Sequence, residues 1–569
     1  LTIQPMLKSV QDSFPGVRII VYLDDIVLQG PYDAVKLAYS ELRDQLAAAG
    51  LQIQREKSIV YSPDATLADE LAFQLGCQQA AGGLVVAGCP VGKPEFVTAK
   101  AIAAAEGVEQ LVNTLMDLQL PVQDKLLVLR KSLQVKIAHL ARCVPYELAE
   151  PAFQKSEAAV LTAFLSLIGR QEADLDVQQL YLPLCKGGVG LLCLTDSQGV
   201  VSRAGLLAAA ALTQSALQEG AAAFQPLSDA NAMVLQSSWA QVTAFCSGPE
   251  HDASIGQMSL QEAHAGGLLQ QLQRRTSGVT REKRHEHLLG KYRAMLRDAS
   301  TRVHAQEHLA RLHSLQHGVG TCWLEVKPTK DHWELDDATV KSALRFMLGV
   351  NPGPPHQACF QCACGYRGSD SHHAMVCEKL SGSRMSRHNH VQSLVQCGAA
   401  MAGHSSSIEP QERHLKNMSV GDKGYGQRGD VLVSTLDDLL NVDVVVTHPA
   451  SFSRRDRASR EPGSAAKVAE ASKRSTHGAG AVGHTFVPFA IESYGRLGLE
   501  AFKLLHDWAA SASGGGLFDR DGYLVWIKRE ISVALIKGNA RIFRRYVGFL
   551  TQGVGRRFVH GCDLSSMDD

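Results

Sequence analysis

Apolar residues follow two rhythms along this chain: short runs broken by glycine and aspartate, and long stretches with apolar positions three to four apart. Residues 16–30, Gly-Val-Arg-Ile-Ile-Val-Tyr-Leu-Asp-Asp-Ile-Val-Leu-Gln-Gly, predict two short β-strands folded about an Asp pair. Residues 33–50 predict a helix with Val35, Ala38, Leu42 and Leu46 on its apolar face and Gly50 closing it. A strand is expected over 51–61 and a hairpin over 82–91. From about residue 99 to 225 the pattern is helical and rich in Ala, Leu and Gln, interrupted at Gly187-Gly188-Val189-Gly190. Residues 226–355 continue as more polar helix, and Asn351-Pro352-Gly353-Pro354-Pro355 reads as a linker. A last α/β segment follows over 385–550. Strands are expected there at 430–434, 442–447 and 486–491, and helices at 386–402, 464–476 and 497–511. Residues 450–480 form a Ser/Arg-rich connection, and the tail past 556 is expected to be disordered. The pattern predicts an α/β and α multidomain fold without internal repeats.

Composition narrows the picture. A length of 569 residues predicts about three or four domains. With 45% hydrophobic and 20% charged residues, wholesale disorder is excluded. Lys+Arg 57 balances Asp+Glu 57, so any nucleic-acid binding must rest on local patches rather than on net charge. No apolar run reaches the roughly 20 residues of a membrane span, so no membrane partner is expected, and no signal or transit peptide is visible. The chain starts at Leu1 and enters a strand pattern almost at once, which predicts a fragment of a longer frame. Of the 13 cysteines, Cys77, Cys143, Cys193 and Cys246 sit singly in apolar settings and read as reduced core cysteines of an intracellular protein. Cys359, Cys362, Cys364 and Cys377 cluster instead.

Tyr22-Leu23-Asp24-Asp25 falls at the tip of the first hairpin. Adjacent carboxylates between apolar strands are costly unless cations compensate them, and two-metal phosphoryl transfer needs such a platform. An exposed turn is the plain alternative. Tyr-x-Asp-Asp within a hairpin resembles a reverse transcriptase palm. Gly50-Leu51 with Lys57-Ser58, then Gly88-Cys89-Pro90-Val91-Gly92 with Phe96-Val97, resemble the next palm segments. Leu182-Pro183-Leu184 with Gly187-Gly188-Val189-Gly190-Leu191 resembles the segment after the thumb in non-long-terminal-repeat retroelements. The resemblance covers residues 1–200 and makes Asp24 and Asp25 its metal-binding catalytic pair. The partner Asp of that family would precede Leu1, so no polymerase activity is expected from this chain alone.

The cysteine cluster supplies Cys362, Cys364, His372 and Cys377 in the pattern C-x-C-x7-H-x4-C, soft thiolates and an imidazole suited to a structural Zn²⁺ site. Cys359 and His373 are alternative ligands, and unpaired thiols in a loop are the plain reading. Together with Arg387-His388-Asn389 opening a helix, the cluster resembles the zinc knuckle preceding the restriction-like endonuclease of early-branching non-long-terminal-repeat retrotransposons. That family's spacing of four residues between His and Cys ranks His372 first. Glu409-Pro410, Arg428-Gly429-Asp430-Val431 and Asp443-Val444-Val445-Val446-Thr447 resemble the motifs of that nuclease core. The resemblance makes Asp430 and Asp443 ligands for Mg²⁺ or Mn²⁺, and Lys473, or else Lys467, the lysine that positions or activates water. The pattern after Phe486 resembles the family's closing strand, where Glu492 orients the turn. Gly429 stands where that family has proline, and Arg474-Ser475 where an aromatic residue often follows the lysine.

These expectations divide the chain into a partial palm (1–98), a helical thumb-like region (99–225), a helical connector (226–355), a zinc knuckle (356–380), a nuclease domain (385–550) and a tail (551–569). Resemblance implies target DNA and an element RNA template as partners and the nucleus as location. The rival expectation is a catalytically inactive remnant that binds nucleic acid, or a scaffold protein. Basic residues at Arg454, Arg455, Arg457, Arg460, Lys467, Lys473 and Arg474 offer phosphate contacts. Trp323 and Trp333 read as local core rather than stacking platforms.

Overall fold

The computed structural model describes residues 3–22, 25–218, 229–246, 258–265, 268–351, 362, 364–366, 371–408, 429–436, 438–477, 484–514 and 519–554. Asp24, Cys359, Glu409 and the tail past 556 lie outside the described residues. The fold is mixed α/β and mostly helical, with small sheets. Among the described residues no helix is long and apolar enough to cross a membrane.

The chain divides into two compact units. One comprises Leu1–Leu111, Gln134–Ala159 and Leu194–Val279; the other comprises Val112–Leu133, Val160–Cys193 and Thr280–Asp569. Both the region expected as thumb and that expected as connector contribute residues to each unit.

In the first unit, β1 (Arg18–Tyr22) and β2 (Asp25–Gln29) form the expected antiparallel hairpin, with Tyr22 opposite Asp25. It packs with the helix Gln4–Ser13 and the helix Tyr32–Ala48, whose Ala38, Leu42 and Leu46 are buried with Val10 and Val17. Val35 packs against that core from its edge. Gly50 adopts φ +79, letting Leu51 and Gly50 donate back to Leu46 and Ala47. That paired return is the glycine-dependent helix stop the sequence predicts. The expected strand over 51–61 shrinks to β3 (Ile59–Val60), because Arg55–Lys57 turn as a 3₁₀ helix; β3 pairs in parallel with β4 (Gln78–Gln79). Between them the helix Ala65–Leu75 is capped by Asp64, which accepts from Thr66 and Leu67, and is stopped by Gly76 at φ +66. β5 (Gly83–Val86) and β6 (Cys89–Gly92) make the second expected hairpin.

The second unit holds a four-stranded sheet of β7 (Ser405–Ile408), β8 (Val431–Ser434), β9 (Leu439–Thr447) and β10 (Thr485–Glu492) in the order β10-β9-β8-β7. β7, β8 and β9 are antiparallel; β10 is parallel to β9, reached by a crossover that includes the helix Ser464–His477. A parallel neighbour needs such a crossover. β9 and β10 read as near-continuous apolar runs because each is covered on both faces. Their core joins Val391 and Val395 of the helix Ser381–Met401, Val433, Val444 and Phe489 of the sheet, Trp508 of the helix Leu499–Gly514, and Tyr523, Ile527 and Ile531 of the helix Arg520–Val554. Phe489, at 0% exposure, alone contributes about 2–3 kcal/mol of apolar burial.

Candidate functional site

The register of β8 and β9 builds the first cluster. Val431 pairs with Val442, so Asp430, one residue before β8, lies across from Asp443. Its N–H donates to the Val442 carbonyl at 3.1 Å, and its Oδ2 accepts the Val444 N–H at 2.6 Å. Gly429 fits here for a steric reason: a Cβ at this position would overlap the Asn441 side chain. Asp443 is buried at 2% exposure in mid-strand, and its Oδ1 accepts the Lys473 ammonium at 3.0 Å. Lys473 arrives from the helix Ser464–His477 and keeps 30% of its side chain exposed. That helix is held at its start by Glu492, whose Oε1 accepts the Ala466 N–H at 3.1 Å.

Electrostatics separate the two acids. Burial pushes Asp430 up, but hydrogen bonds from His388, Asp443 and the Val444 N–H outweigh it, leaving its carboxyl below the usual range. Burial pushes Asp443 up; Lys473 opposes this, and the adjoining Asp430 reinforces it, leaving it raised. Paired carboxylates that share a site split in this way, one raised and the other lowered.

The structure thus brings together Asp430, Asp443 and Lys473. It leaves Lys467 elsewhere, exposed and paired with Glu461 at 3.2 Å. It also adds a residue that sequence reasoning did not place in the site. His388 Nε2 lies 3.3 Å from Asp430 Oδ1, and Gln392, one helical turn on, donates to the Asp430 carbonyl at 2.8 Å. The four-residue spacing of two polar side chains on a helix with a buried face was the available signal.

The second cluster is Cys362, Cys364, His373 and Cys377, whose ligand atoms all lie within 4.8 Å of one another. His373, not His372, is the imidazole of this group. The helix Ser371–Val376 explains the correction: His373 and Cys377 are four residues apart on one face, and the Cys377 N–H donates to the His373 carbonyl at 2.9 Å. One residue earlier, His372 is rotated by about 100° and meets His448 instead, Nδ1 to Nε2 at 3.1 Å. The pattern is therefore C-x-C-x8-H-x3-C. Cys362 and Cys377 sulfurs are 3.6 Å apart and Cys364 Sγ is 3.2 Å from His373 Nε2. A tetrahedral zinc ion would set such edges at about 3.5–3.8 Å, so the group could bind a metal such as zinc. Tyr366 stacks on His373 with centroids 4.0 Å apart and fixes its plane. Burial and the neighbouring sulfurs push Cys362 up to about 12. Burial also acts on Cys364, but a backbone N–H and the adjacent thiols outweigh it and bring it below the usual range. A bound cation would offset that rise at Cys362 and favour its thiolate.

The Asp25 hairpin does not gather a comparable group. Asp25 is exposed, and among the described residues no set of three potential metal ligands includes it. The arginine-rich connection is largely neutralised: Arg457 pairs with Glu461, Arg460 with Asp456, Arg455 with Glu307 and Arg474 with Glu500. Trp323 is buried at 2% exposure, core as expected, while Trp333 is half-buried under Lys330. Cys246 is buried, and Cys77, Cys143 and Cys193 are half-buried. No protein-family model and no curated protein sequence matches this chain.

Proposed function

We propose that the chain is the C-terminal part of a non-long-terminal-repeat retrotransposon reverse transcriptase whose sheet domain nicks DNA with the help of Mg²⁺ or Mn²⁺. The observation that carries the reading is the facing of Asp430 and Asp443 across β8 and β9 with Lys473 bonded to Asp443 at 3.0 Å. Carboxylate oxygens suit a hard divalent cation, and the restriction-like nuclease core that the sequence resembles uses this kind of donor set. Asp430 and Asp443 would hold the cation, which when bound supplies charge to the leaving phosphate oxygen and acidity to a coordinated water.

This chain's own residues do the rest. His388 and the Val444 N–H fix the Asp430 carboxylate from two sides, and Lys473 does the same for Asp443. The ammonium of Lys473 is partly exposed, so donors not used on Asp443 can orient a water or stabilise a phosphate oxygen. The hairpin of β1 and β2, with the Tyr-Leu-Asp-Asp sequence motif, supports reading residues 1–98 as palm-derived, with no polymerase activity of their own. Target DNA and an element RNA are the partners this reading implies, in the nucleus.

A catalytically inactive remnant, nucleic-acid-binding or scaffold, is the second reading; the arginines flanking β9, mostly spent on internal ion pairs, favour its scaffold form. The test is nicking of supercoiled plasmid by the full chain with Mg²⁺ or Mn²⁺, beside Asp443→Ala. Metal-dependent relaxation that the variant loses supports the nuclease. A folded, zinc-loaded chain that leaves the plasmid intact in both metals shifts the conclusion to the remnant.

A further inference from the structure

We propose that the Cys₃His centre is a structural part of the carboxylate domain, its metal-bound state being relayed to the ends of β9 and β10 by a closed ring of polar contacts that starts at His372. The inference does not depend on whether Asp430 and Asp443 cut DNA.

The ring begins on the six-residue helix Ser371–Val376. From one face His373, with Cys377 just beyond, enters the metal-ligand group. From the other face two residues enter the core. His372 Nδ1 lies 3.1 Å from His448 Nε2, just past the end of β9, and the two rings stack with centroids 5.2 Å apart. His448 Nδ1 lies 2.7 Å from Ser493 Oγ, just past the end of β10. The Ser493 carbonyl accepts the Asn539 amide at 2.9 Å, and Asn539 Oδ1 accepts Arg387 Nη1 at 2.6 Å. The same Arg387 nitrogen reaches Met375 Sδ at 3.4 Å, back on the helix where the ring began.

Both rings can stay neutral in this circuit under one proton order. Ser493 donates to His448, His448 donates to His372, and His372 Nε2–H faces Glu307 Oε2 at 3.8 Å. The opposite order would turn a bare ring nitrogen toward that carboxylate. His448, Ser493, Arg387 and Asn539 are each no more than 3% exposed. A broken link would therefore strand a buried polar group without water to replace its partner.

A six-residue helix has too few internal hydrogen bonds to hold its own position. Besides its packing on the helix Arg520–Val554, two things fix it: the metal group on one face and the ring on the other. His372 and His373 are neighbours on one turn of backbone, so the ion that pins His373 also pins the ring that supports His448. Loss of the ion leaves His372 free to leave His448, and the strand ends lose a buried partner.

The experiment uses the full chain, zinc-loaded, stripped by a chelator and reloaded, with zinc content measured and amide hydrogen exchange followed by mass spectrometry. Stripping should raise exchange at least tenfold in residues 444–448 and 491–494, reversed by zinc, while the helix Tyr32–Ala48 keeps its rate. A rise confined to residues 362–377 overturns the proposal. His372→Phe provides the second arm, because it keeps the aromatic stack and deletes the polar link. Retained zinc with at least tenfold faster exchange at the two strand ends supports the relay, and retained zinc with wild-type exchange overturns it. This arm also decides the matter if stripping unfolds the chain outright.

Discussion

Glu492, at the end of β10, accepts the N–H of Ala466 at 3.1 Å and so anchors the first turn of the helix that carries Lys473. The helix start has unpaired N–H groups, and a buried carboxylate oxygen satisfies one of them. Burial raises the Glu492 carboxyl, with hydrogen bonds opposing only in part. The ionised form therefore costs stability once the pH exceeds the unfolded value of about 4.3. Glu492→Gln keeps the acceptor and removes the charge. It should match the wild type in thermal melting near pH 4 and melt higher at pH 8. Glu492→Ala should lose about 1–2 kcal/mol at either pH, and a Gln variant that melts below wild type at pH 8 would refute this account.

His285 should make the fold acid-sensitive. It is 3% exposed, and burial, with Lys186 next in importance, lowers it to about 4; His313 adds to the effect and Glu282 and Glu286 oppose it. An unfolded histidine takes up its proton near pH 6.5, while the folded one resists until about pH 4. Stability contributed by the neutral ring is thus complete above that upper value and lost as the pH falls through the window. The loss should be on the order of 2 kcal/mol. Denaturant melts at pH 7 and pH 5, on wild type and His285→Gln, measure it. The variant should show a smaller drop, and an equal drop in both would assign the sensitivity to other groups.

Metal titration distinguishes the two adjacent histidines. The wild type should bind one zinc per Cys₃His group, His373→Ala should weaken binding about 100-fold or more, and His372→Ala should stay within about threefold. Competition against a chromophoric chelator reads all three constants. The reverse ranking would restore His372 as the ligand.

Lysine substitutions address the proposed cleavage. Lys473→Ala should slow nicking by about 10²–10³-fold, the usual cost of removing a donor aimed at developing charge. Lys467→Ala, whose side chain is occupied with Glu461 in solvent, should stay within about twofold. Single-turnover rates on a nicked-product gel measure both, and equal losses would show that Lys473 acts only through general charge.

Gly429 should resist substitution for steric reasons. Gly429→Ala drives a methyl group into Asn441 and should cost about 1–3 kcal/mol. Combining it with Asn441→Ala should recover part of that loss in thermal melts, whereas additive losses would place the strain elsewhere.

Much of the second unit's sheet was legible because β8 and β9 are rich in valine and leucine and β10 in phenylalanine, valine and isoleucine, bounded by polar residues. Their observed limits, Val431–Ser434, Leu439–Thr447 and Thr485–Glu492, differ from those expected by a few residues at most. β7 was not legible: Ser-Ser-Ser-Ile has no apolar alternation, and pairing with β8 at the sheet edge makes it a strand. The Asp430, Asp443 and Lys473 set was readable through the motif order, whereas the four-residue spacing of His388 and Gln392 could not name their partner, which for His388 lies 42 positions away on another element. The choice between His372 and His373 turned on helical phase. Spacing admits both residues, and only the helix Ser371–Val376 decides which one faces the sulfurs.

The helix Arg520–Val554 has a consequence for how the carboxylate site comes into being. Its Tyr523, Ile527 and Ile531 complete the core that also contains Val391 and Val395, more than a hundred residues earlier in synthesis. Contacts so distant along the chain carry a large loop-closure cost and form late. On a ribosome, strands β8 and β9 emerge long before the helix that covers their domain, and their valine-rich faces must wait exposed. Nascent chains halted before residue 520 should therefore display aggregation-prone strands, and chaperone demand should peak in that interval.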